Sequence, residues 1–162
     1  GRWQTQSRPD HSSSDASFYA CRLEENLTLR SHFLKKIFQI FLVLFGITAI
    51  LIALLHVIFG PSAIPGSVPV NPTMDSEDRF YATLFAAYGA VLIWCVRDIE
   101  RKTKVVYFLA LTFFVGGLAR IVSIFAVGPP NDFFVAMTVL ELIIPIYMTF
   151  AQSRIARAAV AS

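Results

Sequence analysis

Arg120 is the residue of this chain whose type and surroundings point most directly to chemistry. It lies in an apolar run over residues 105–127, about one turn after the glycines Gly116 and Gly117. A guanidinium keeps its proton inside proteins, so within an apolar run it must be paired, hydrated or extended to the surface. Ionisable side chains inside membrane-spanning segments are rare and usually mark a binding site or an ion pathway. Arg120 is therefore the first candidate site residue.

Glu141 is the acidic residue best placed to pair with Arg120. It lies in the next apolar run, over residues 133–151, and a Gly-Pro-Pro-Asn turn at 128–131 joins the two runs. If both runs are helices, Arg120 lies about 10 Å before the connection and Glu141 about 12 Å after it. Because the depths match, the sequence predicts a direct charge pair. Pro145 adds an acceptor at this level, since it leaves the Glu141 carbonyl without its helical donor.

Other polar side chains are predicted to lie in the same half of the molecule. His56 is near the end of the first apolar run. Residues 75–79, which include three acidic residues and one arginine, precede the second run. The two glycines before Arg120 leave room beside its guanidinium. We predict an outward-facing polar pocket whose candidate ligand-binding residues are Arg120, Glu141, His56, Asp75, Glu77, Arg79 and Ser123.

A structural role competes with ligand binding at these positions. A buried Arg–Glu pair can simply fix the register of two helices, and a lone interfacial histidine is commonly a packing residue. Thr73 or Asp75 is well placed to cap the second helix, whose first turn favours acidic side chains. Gly116, Gly117 and Pro145 are expected to be structural. The sequence shows no catalytic triad, phosphate-binding loop or metal-ligand spacing, so we predict no metal site and no cofactor.

The composition assigns the chain to the membrane proteins. Hydrophobic residues make up 56% of its 162 residues and charged residues 15%, far from the average of soluble domains. Four apolar runs, each within or near the length of about 17–25 residues that a spanning helix needs, occupy residues 37–59, 80–96, 105–127 and 133–151. The remaining chain is too short and too polar to cover four helices that are apolar all round. The predicted fold is an all-α bundle of four transmembrane helices.

The charges that flank the apolar runs predict an orientation in the membrane. Basic residues precede the first run, fill the middle connection and follow the fourth run, whereas the first connection is mainly acidic. By the positive-inside rule, both termini and the middle connection are cytoplasmic, in a plasma or inner membrane. The net charge of +3 does not indicate nucleic acid, because the bases lie at helix ends. The expected partners are the lipid bilayer, a small or lipidic ligand, and a membrane protein or a second copy of the chain.

The chain is predicted to have three parts. Residues 1–33 are expected to form a disordered polar tail, residues 34–152 the membrane domain, and residues 153–162 a short cytoplasmic tail. Small residues recur at helical spacing in the first two runs, which favours close helix contact. They are Gly46, Ala49 and Ala53 in the first run and Ala82, Ala86, Gly89 and Ala90 in the second.

Three groups of residues carry a resemblance to a known family. They are Asn71, Thr73, Asp75, Ser76, Glu77, Arg79 and Phe80 before the second helix, residues 116–120 with Ser123 in the third, and Glu141 with Pro145 in the fourth. Over residues 34–150 the chain resembles small four-helix integral membrane proteins of unknown function, mostly bacterial and related to DoxX-like membrane proteins. The resemblance implies a four-span fold and a role for these positions, with Asn71 structural. It implies no particular reaction.

Three functions are compatible with these residues. The leading hypothesis is a non-enzymatic membrane protein that binds a small or lipidic ligand, with Arg120 contacting an anion or carbonyl and Glu141 as its counter-charge. The second is a membrane-embedded enzyme acting on a lipid, sterol or quinone, in which Glu141 or Glu77 shuttles protons with His56. The third is an assembly factor of a larger membrane complex, which would use the alanine face of the second helix.

Overall fold

The computed structural model describes residues 11–161, with the backbone alone for 11–21, 23–28 and 161. This part of the chain folds into four long helices and contains no strand, so the predicted all-α class is confirmed. The helices are α1 (His11–Phe59), α2 (Pro72–Cys95), α3 (Thr103–Val127) and α4 (Asp132–Ala161). Short 3-10 turns at Gly60–Ala63 and Val96–Asp98 follow α1 and α2. Each helix contributes a segment long and apolar enough to cross a membrane, namely Leu29–Ala63, Pro72–Asp98, Thr103–Val127 and Asp132–Val160.

The helices α1 and α4 extend well beyond the apolar runs that predict them. The predicted disordered tail covers residues 1–33, of which 1–10 lie outside the described residues. From His11 the backbone is helical and continuous with the first span, in a segment that contains neither Gly nor Pro to end a helix. At the other terminus, the predicted short tail from 153 continues α4 to Ala161. This segment is rich in alanine, the best helix former, and its Ile155 is buried in the core.

The start of α2 also differs from the prediction. The helix begins at Pro72, about two turns before residue 80. Asn71 is its N-cap: the Asn71 side chain accepts a hydrogen bond from the Met74 amide at 2.9 Å, so the cap predicted at Thr73 or Asp75 is wrong. Proline suits the first position of a helix, because its missing N–H would have no helical partner there. Consequently residues 75–79 form the first turns of α2 and not a loop before it.

Two helical hairpins make up the bundle. In the first, α1 and α2 approach each other closely at Gly46 and Gly89: a Cβ built on either glycine would lie 2.6 Å from the carbonyl oxygen of the other. In the second, α3 approaches α4 at Gly117. Contacts within each hairpin are far more extensive than contacts between α2 and α3. We call the end with the α1–α2 and α3–α4 connections the two-loop end, and the end with the α2–α3 connection the one-loop end.

The core that all four helices share lies in the half of the bundle next to the one-loop end. Its members are Phe38, Leu42, Leu92, Cys95, Ile99, Val106, Leu109, Ala110, Met148, Ala151 and Ile155. Towards the two-loop end this core is followed by an aromatic layer, formed by Phe45, Tyr88 and Phe113 from α1, α2 and α3. Their ring centroids lie 5.0–6.1 Å apart, a separation typical of stabilising aromatic contacts.

Polar contacts fasten the α2–α3 connection to the other two helices. Gln39 of α1 donates to the Val96 carbonyl at 2.8 Å, and the buried Gln152 of α4 donates to the Ile99 carbonyl, also at 2.8 Å. The α2–α3 connection lies against the core, where carbonyl groups need hydrogen-bond donors. The two glutamine amides supply these donors. At the opposite end the α1–α2 connection reaches the second hairpin, since a Cβ on Gly66 would lie 3.4 Å from the Asn131 amide nitrogen.

Candidate functional site

Arg120 and Glu141 lie in direct contact across the second hairpin. The Arg120 Nε donates to both carboxylate oxygens of Glu141, at 3.0 and 2.8 Å. Exposure differs between the partners: the Glu141 side chain is 13% exposed and the Arg120 side chain 42%. The acid is thus largely enclosed, while part of the guanidinium remains open to its surroundings. Such a pair offsets the cost that each charge alone would carry in an apolar environment.

Small residues on α3 determine what surrounds this pair. Gly117 lies against α4, where a Cβ would come within 3.1 Å of the Glu141 Cβ. Gly116 faces open space, with nothing within 4 Å of the position of its Cβ. On the α4 side, the Phe134 ring centroid lies 5.3 Å from the Arg120 Cζ, within the range of cation–π attraction. The guanidinium is therefore held by a carboxylate and a ring.

The outer nitrogens of Arg120 have no acceptor in the described part of the chain. The hydrogen bonds of its guanidinium to Glu141 both start from Nε, so Nη1 and Nη2 keep their donors for another group. The edge of a guanidinium that carries two amino groups matches the geometry of a carboxylate or phosphate. The arrangement can therefore bind an anionic or carbonyl oxygen without breaking the pair.

Arg79 makes a different kind of contact, although it also pairs with an acid. Its Nε and Nη2 donate to the two carboxylate oxygens of Asp75, at 2.8 and 3.1 Å. Its Nη1 donates to the carbonyls of Val57 and Ile58 in the last turn of α1. The Val57 carbonyl has no helical donor, because the residue four positions later is Pro61, which has no N–H. Arg79 thus caps α1 from α2, and its donors are used within the protein.

His56 pairs with a residue outside the predicted set. Its Nδ1 lies 3.1 Å from both carboxylate oxygens of Asp78, and both side chains are about one-fifth exposed. Because α2 starts at Pro72, residues 75–79 are helical, and Asp78 lies on the same helix face as Asp75 and Arg79. The sequence signal that reveals this face is the Asn-Pro pair at 71–72, which marks the start of the helix.

The ionisable side chains that pair with one another in the two-loop half form two clusters, one in each hairpin. The first-hairpin cluster contains His56, Asp78, Asp75 and Arg79, and the second contains Arg120 and Glu141. Within residues 11–161 no hydrogen bond or ion pair joins the two clusters. Glu77 and Ser123 are both exposed. A search of the described residues finds no group of three or more His, Cys, Asp and Glu side chains able to hold a metal.

The fold and the charge pair define a four-helix protein of the membrane-spanning kind with a paired arginine in one half of its bundle. The chain belongs to the family of the domain of unknown function DUF4345, whose model matches residues 37–152. This match covers most of the chain and includes both clusters. A relation to DoxX-like membrane proteins, which the resemblance implied, is not supported by it. Neither a curated protein nor a solved structure shows significant similarity to the chain.

Proposed function

We propose that the protein is a non-enzymatic multi-pass membrane protein that binds a small or lipidic ligand through the Arg120 guanidinium. The observation that carries the proposal is the state of this side chain: Nε is held by Glu141, the side chain is 42% exposed, and Nη1 and Nη2 have no acceptor among the described residues. A cation in an apolar segment gains most from a ligand that supplies a carboxylate, phosphate or carbonyl oxygen.

The proposed ligand space lies between the hairpins, on the two-loop side of the aromatic layer. Phe113, Gly116 and Arg120 follow one another at i, i+3 and i+7, so they lie along one face of α3. Phe113 faces the first hairpin, because its ring contacts Phe45 and Tyr88. Gly116 has no atom within 4 Å of the position of its Cβ, so this face of α3 is open one turn before Arg120. An apolar ligand body would rest on the aromatic layer while its polar group reaches Arg120.

Glu141 has two roles in this proposal. It neutralises the arginine in the unliganded protein, which lowers the cost of a charge within the bilayer. It also fixes the guanidinium plane by holding Nε, so that the opposite edge is preoriented for the ligand. The orientation inferred from the flanking charges, with both termini cytoplasmic, would place this site in the outer half of the membrane.

The proposal is tested with matched charge variants and matched amphiphiles. Oleate and oleyl alcohol share one hydrocarbon chain and differ in the anionic group, so the difference between their effects isolates recognition of the anion. Oleate is expected to raise the thermal unfolding midpoint of the unmodified protein more than oleyl alcohol does. Arg120→Gln should abolish this difference, because its amide cannot supply the charged donor pair.

Two controls define the outcome that would overturn the proposal. Arg101→Gln removes an exposed base near the one-loop end and should leave the difference between oleate and oleyl alcohol intact. Mass spectrometry of lipids that co-purify with each variant extends the test to native ligands. If Arg120→Gln and Arg101→Gln behave alike in both measurements, then Arg120 does not bind a ligand and its pair with Glu141 is structural.

A further inference from the structure

We propose that a groove between α3 and α4, distinct from the Arg120 site, binds an anionic phospholipid near the one-loop end. The groove has a volume of about 590 Å³ and is lined by Tyr107, Ala110, Leu111, Phe114, Pro145, Ile146, Thr149, Phe150 and Ser153. It lies within the apolar segments of both helices. The proposed acyl chain occupies the groove, and the phosphate binds the basic residues at its end.

The hydroxyl groups of Thr149 and Ser153 do not make the groove polar. The Thr149 hydroxyl donates to the Pro145 carbonyl at 2.8 Å and the Ser153 hydroxyl to the Phe150 carbonyl at 2.8 Å. Both hydroxyl protons are therefore used within α4, and these side chains act as small space-making groups. The neighbouring Leu111 and Ile146 are 59% and 65% exposed, which leaves them to be covered by hydrocarbon.

Basic residues continue both walls of the groove towards the one-loop end. On α3, Lys104 precedes Tyr107 by three residues and so lies on the same helix face. On α4, Arg157 follows Ser153 by four residues, and the Arg154 Cζ lies 5.1 Å from the centroid of the Phe150 ring. These three bases have no acidic partner among the residues whose side chains the structure describes, whereas nearby Lys35 and Lys102 pair with Glu100 and Asp98. An anionic headgroup supplies the missing negative charge.

The dimensions of the groove fit one lipid of the leaflet at this end. From Tyr107 to Phe114 the wall on α3 is about 10 Å long, at about 1.5 Å of rise per residue. One leaflet supplies about half of the roughly 30 Å hydrocarbon core, so the groove holds the part of an acyl chain nearest the glycerol. Basic sites between helices on the cytoplasmic side are a known physical basis for anionic lipid recognition.

The test is native mass spectrometry of the full chain in a neutral detergent, titrated with phosphatidylglycerol or phosphatidylcholine of identical acyl chains. The unmodified protein should retain phosphatidylglycerol more strongly than phosphatidylcholine. Lys104→Gln combined with Arg154→Gln should weaken this binding about 25-fold, since each base near an anionic surface contributes about a factor of five. Thr149→Phe should weaken it by filling the groove while all the bases remain.

A matched control keeps the change of charge but moves it off the groove. Arg97→Gln combined with Arg101→Gln removes two exposed bases of the α2–α3 connection and should alter binding less than twofold. The proposal is overturned if both double variants weaken binding equally, because a diffuse surface charge would then be sufficient. Equal retention of the two lipids by the unmodified protein, or unchanged binding in Thr149→Phe, would also overturn it.

Discussion

Arg79 and Arg120 are both paired with an acid in the two-loop half. They differ in whether their other N–H groups also bond within the protein. Arg79 uses Nε and Nη2 on Asp75 and Nη1 on two carbonyls of α1. Arg120 uses Nε on Glu141, and Nη1 and Nη2 remain for a ligand. Counting donors therefore separates a structural arginine from a candidate binding arginine, which residue type and depth alone do not.

Arg79→Met is expected to destabilise the protein, because it leaves the last carbonyls of α1 and the Asp75 carboxylate without their donor. The midpoint of thermal unfolding should fall by several degrees. Glu77→Gln is the matched control, since Glu77 is exposed on the same turn of α2; it should leave the midpoint unchanged within error. Equal effects of the two substitutions would show that Arg79 does not cap α1.

The Arg120–Glu141 pair should show energetic coupling in a double-mutant cycle. Replacing either residue by Leu leaves the other charge unpaired in an apolar environment, whereas replacing both removes the two charges together. The coupling free energy is expected to be about 1 kcal/mol, the scale measured for polar contacts between membrane helices. Reversible unfolding in mixed detergent micelles measures it. Strictly additive single effects would contradict the contact.

The sequence predicts at what level along the helix axes a side chain lies better than it predicts which side chains of neighbouring helices contact each other. Matching the rise of two helices joined by a short turn places Arg120 and Glu141 at one level, and the structure shows them hydrogen-bonded. The same reasoning put His56 near that level but gave no indication that it lies against Asp78. Depth depends on counting residues along one helix, whereas lateral position depends on how the hairpins pack.

Glycines determine how closely neighbouring helices approach. At Gly46 and Gly89 the two backbones meet with no side chain between them, which allows the close van der Waals contact that drives association of membrane helices. The small-residue stripes of the first two runs predict this interface. They do not predict which pair of residues makes the closest contact, because that depends on the crossing angle of the helices.

Gly117→Ala and Gly116→Ala should have opposite effects, although they are adjacent on α3. A Cβ at Gly117 would lie 3.1 Å from both the Glu141 Cβ and the Leu142 Cδ2, so these side chains must move by a few tenths of an ångström, at a cost of about 1–3 kcal/mol. A Cβ at Gly116 meets nothing, and alanine there should stabilise the helix by about 0.5–1 kcal/mol. Unfolding free energies in micelles provide the measurement. A neutral Gly117→Ala would refute the close approach.

Helix ends were predicted less accurately than helix centres, for a physical reason. Hydropathy detects residues that prefer hydrocarbon, but a helix continues into water wherever propensity and capping allow. The ends of α2 and α4 follow local chemistry, the Asn71 cap with Pro72 and the alanine-rich segment after Ile155. These signals are present in the sequence and should be weighed separately from apolar length.

At the scale of the whole molecule, the shared core lies in one half of the bundle. The core to which all four helices contribute buried residues ends at the aromatic layer. Beyond it, burial is confined to each hairpin, as at Ala49, Ala53 and Ala82 in the first and at Gly117 and Thr138 in the second. The apolar pattern predicts four helices but not this asymmetry, because hydropathy does not distinguish surfaces that face lipid from surfaces that face protein.

The orientation proposed from the flanking charges, with both termini cytoplasmic, predicts which connections react with a membrane-impermeant maleimide. In intact cells, and in a background where Cys21 and Cys95 are replaced by Ala, Ser67→Cys should be labelled and Arg101→Cys should not. The reason is that the positive-inside rule predicts a cytoplasmic α2–α3 connection. Permeabilised cells supply the control, since both cysteines should react there. Labelling of Arg101→Cys alone in intact cells would reverse the topology.

The bundle has a shared core in the half next to the one-loop end and two separately packed hairpins in the other half. The aromatic layer of Phe45, Tyr88 and Phe113 lies where the shared core stops, so separating the two hairpins beyond it exposes little additional core. The α1–α2 connection, which reaches Asn131 at Gly66, links the two hairpins at the two-loop end. Beyond the aromatic layer, this connection and not a shared core therefore holds the two hairpins together on the side of Arg120.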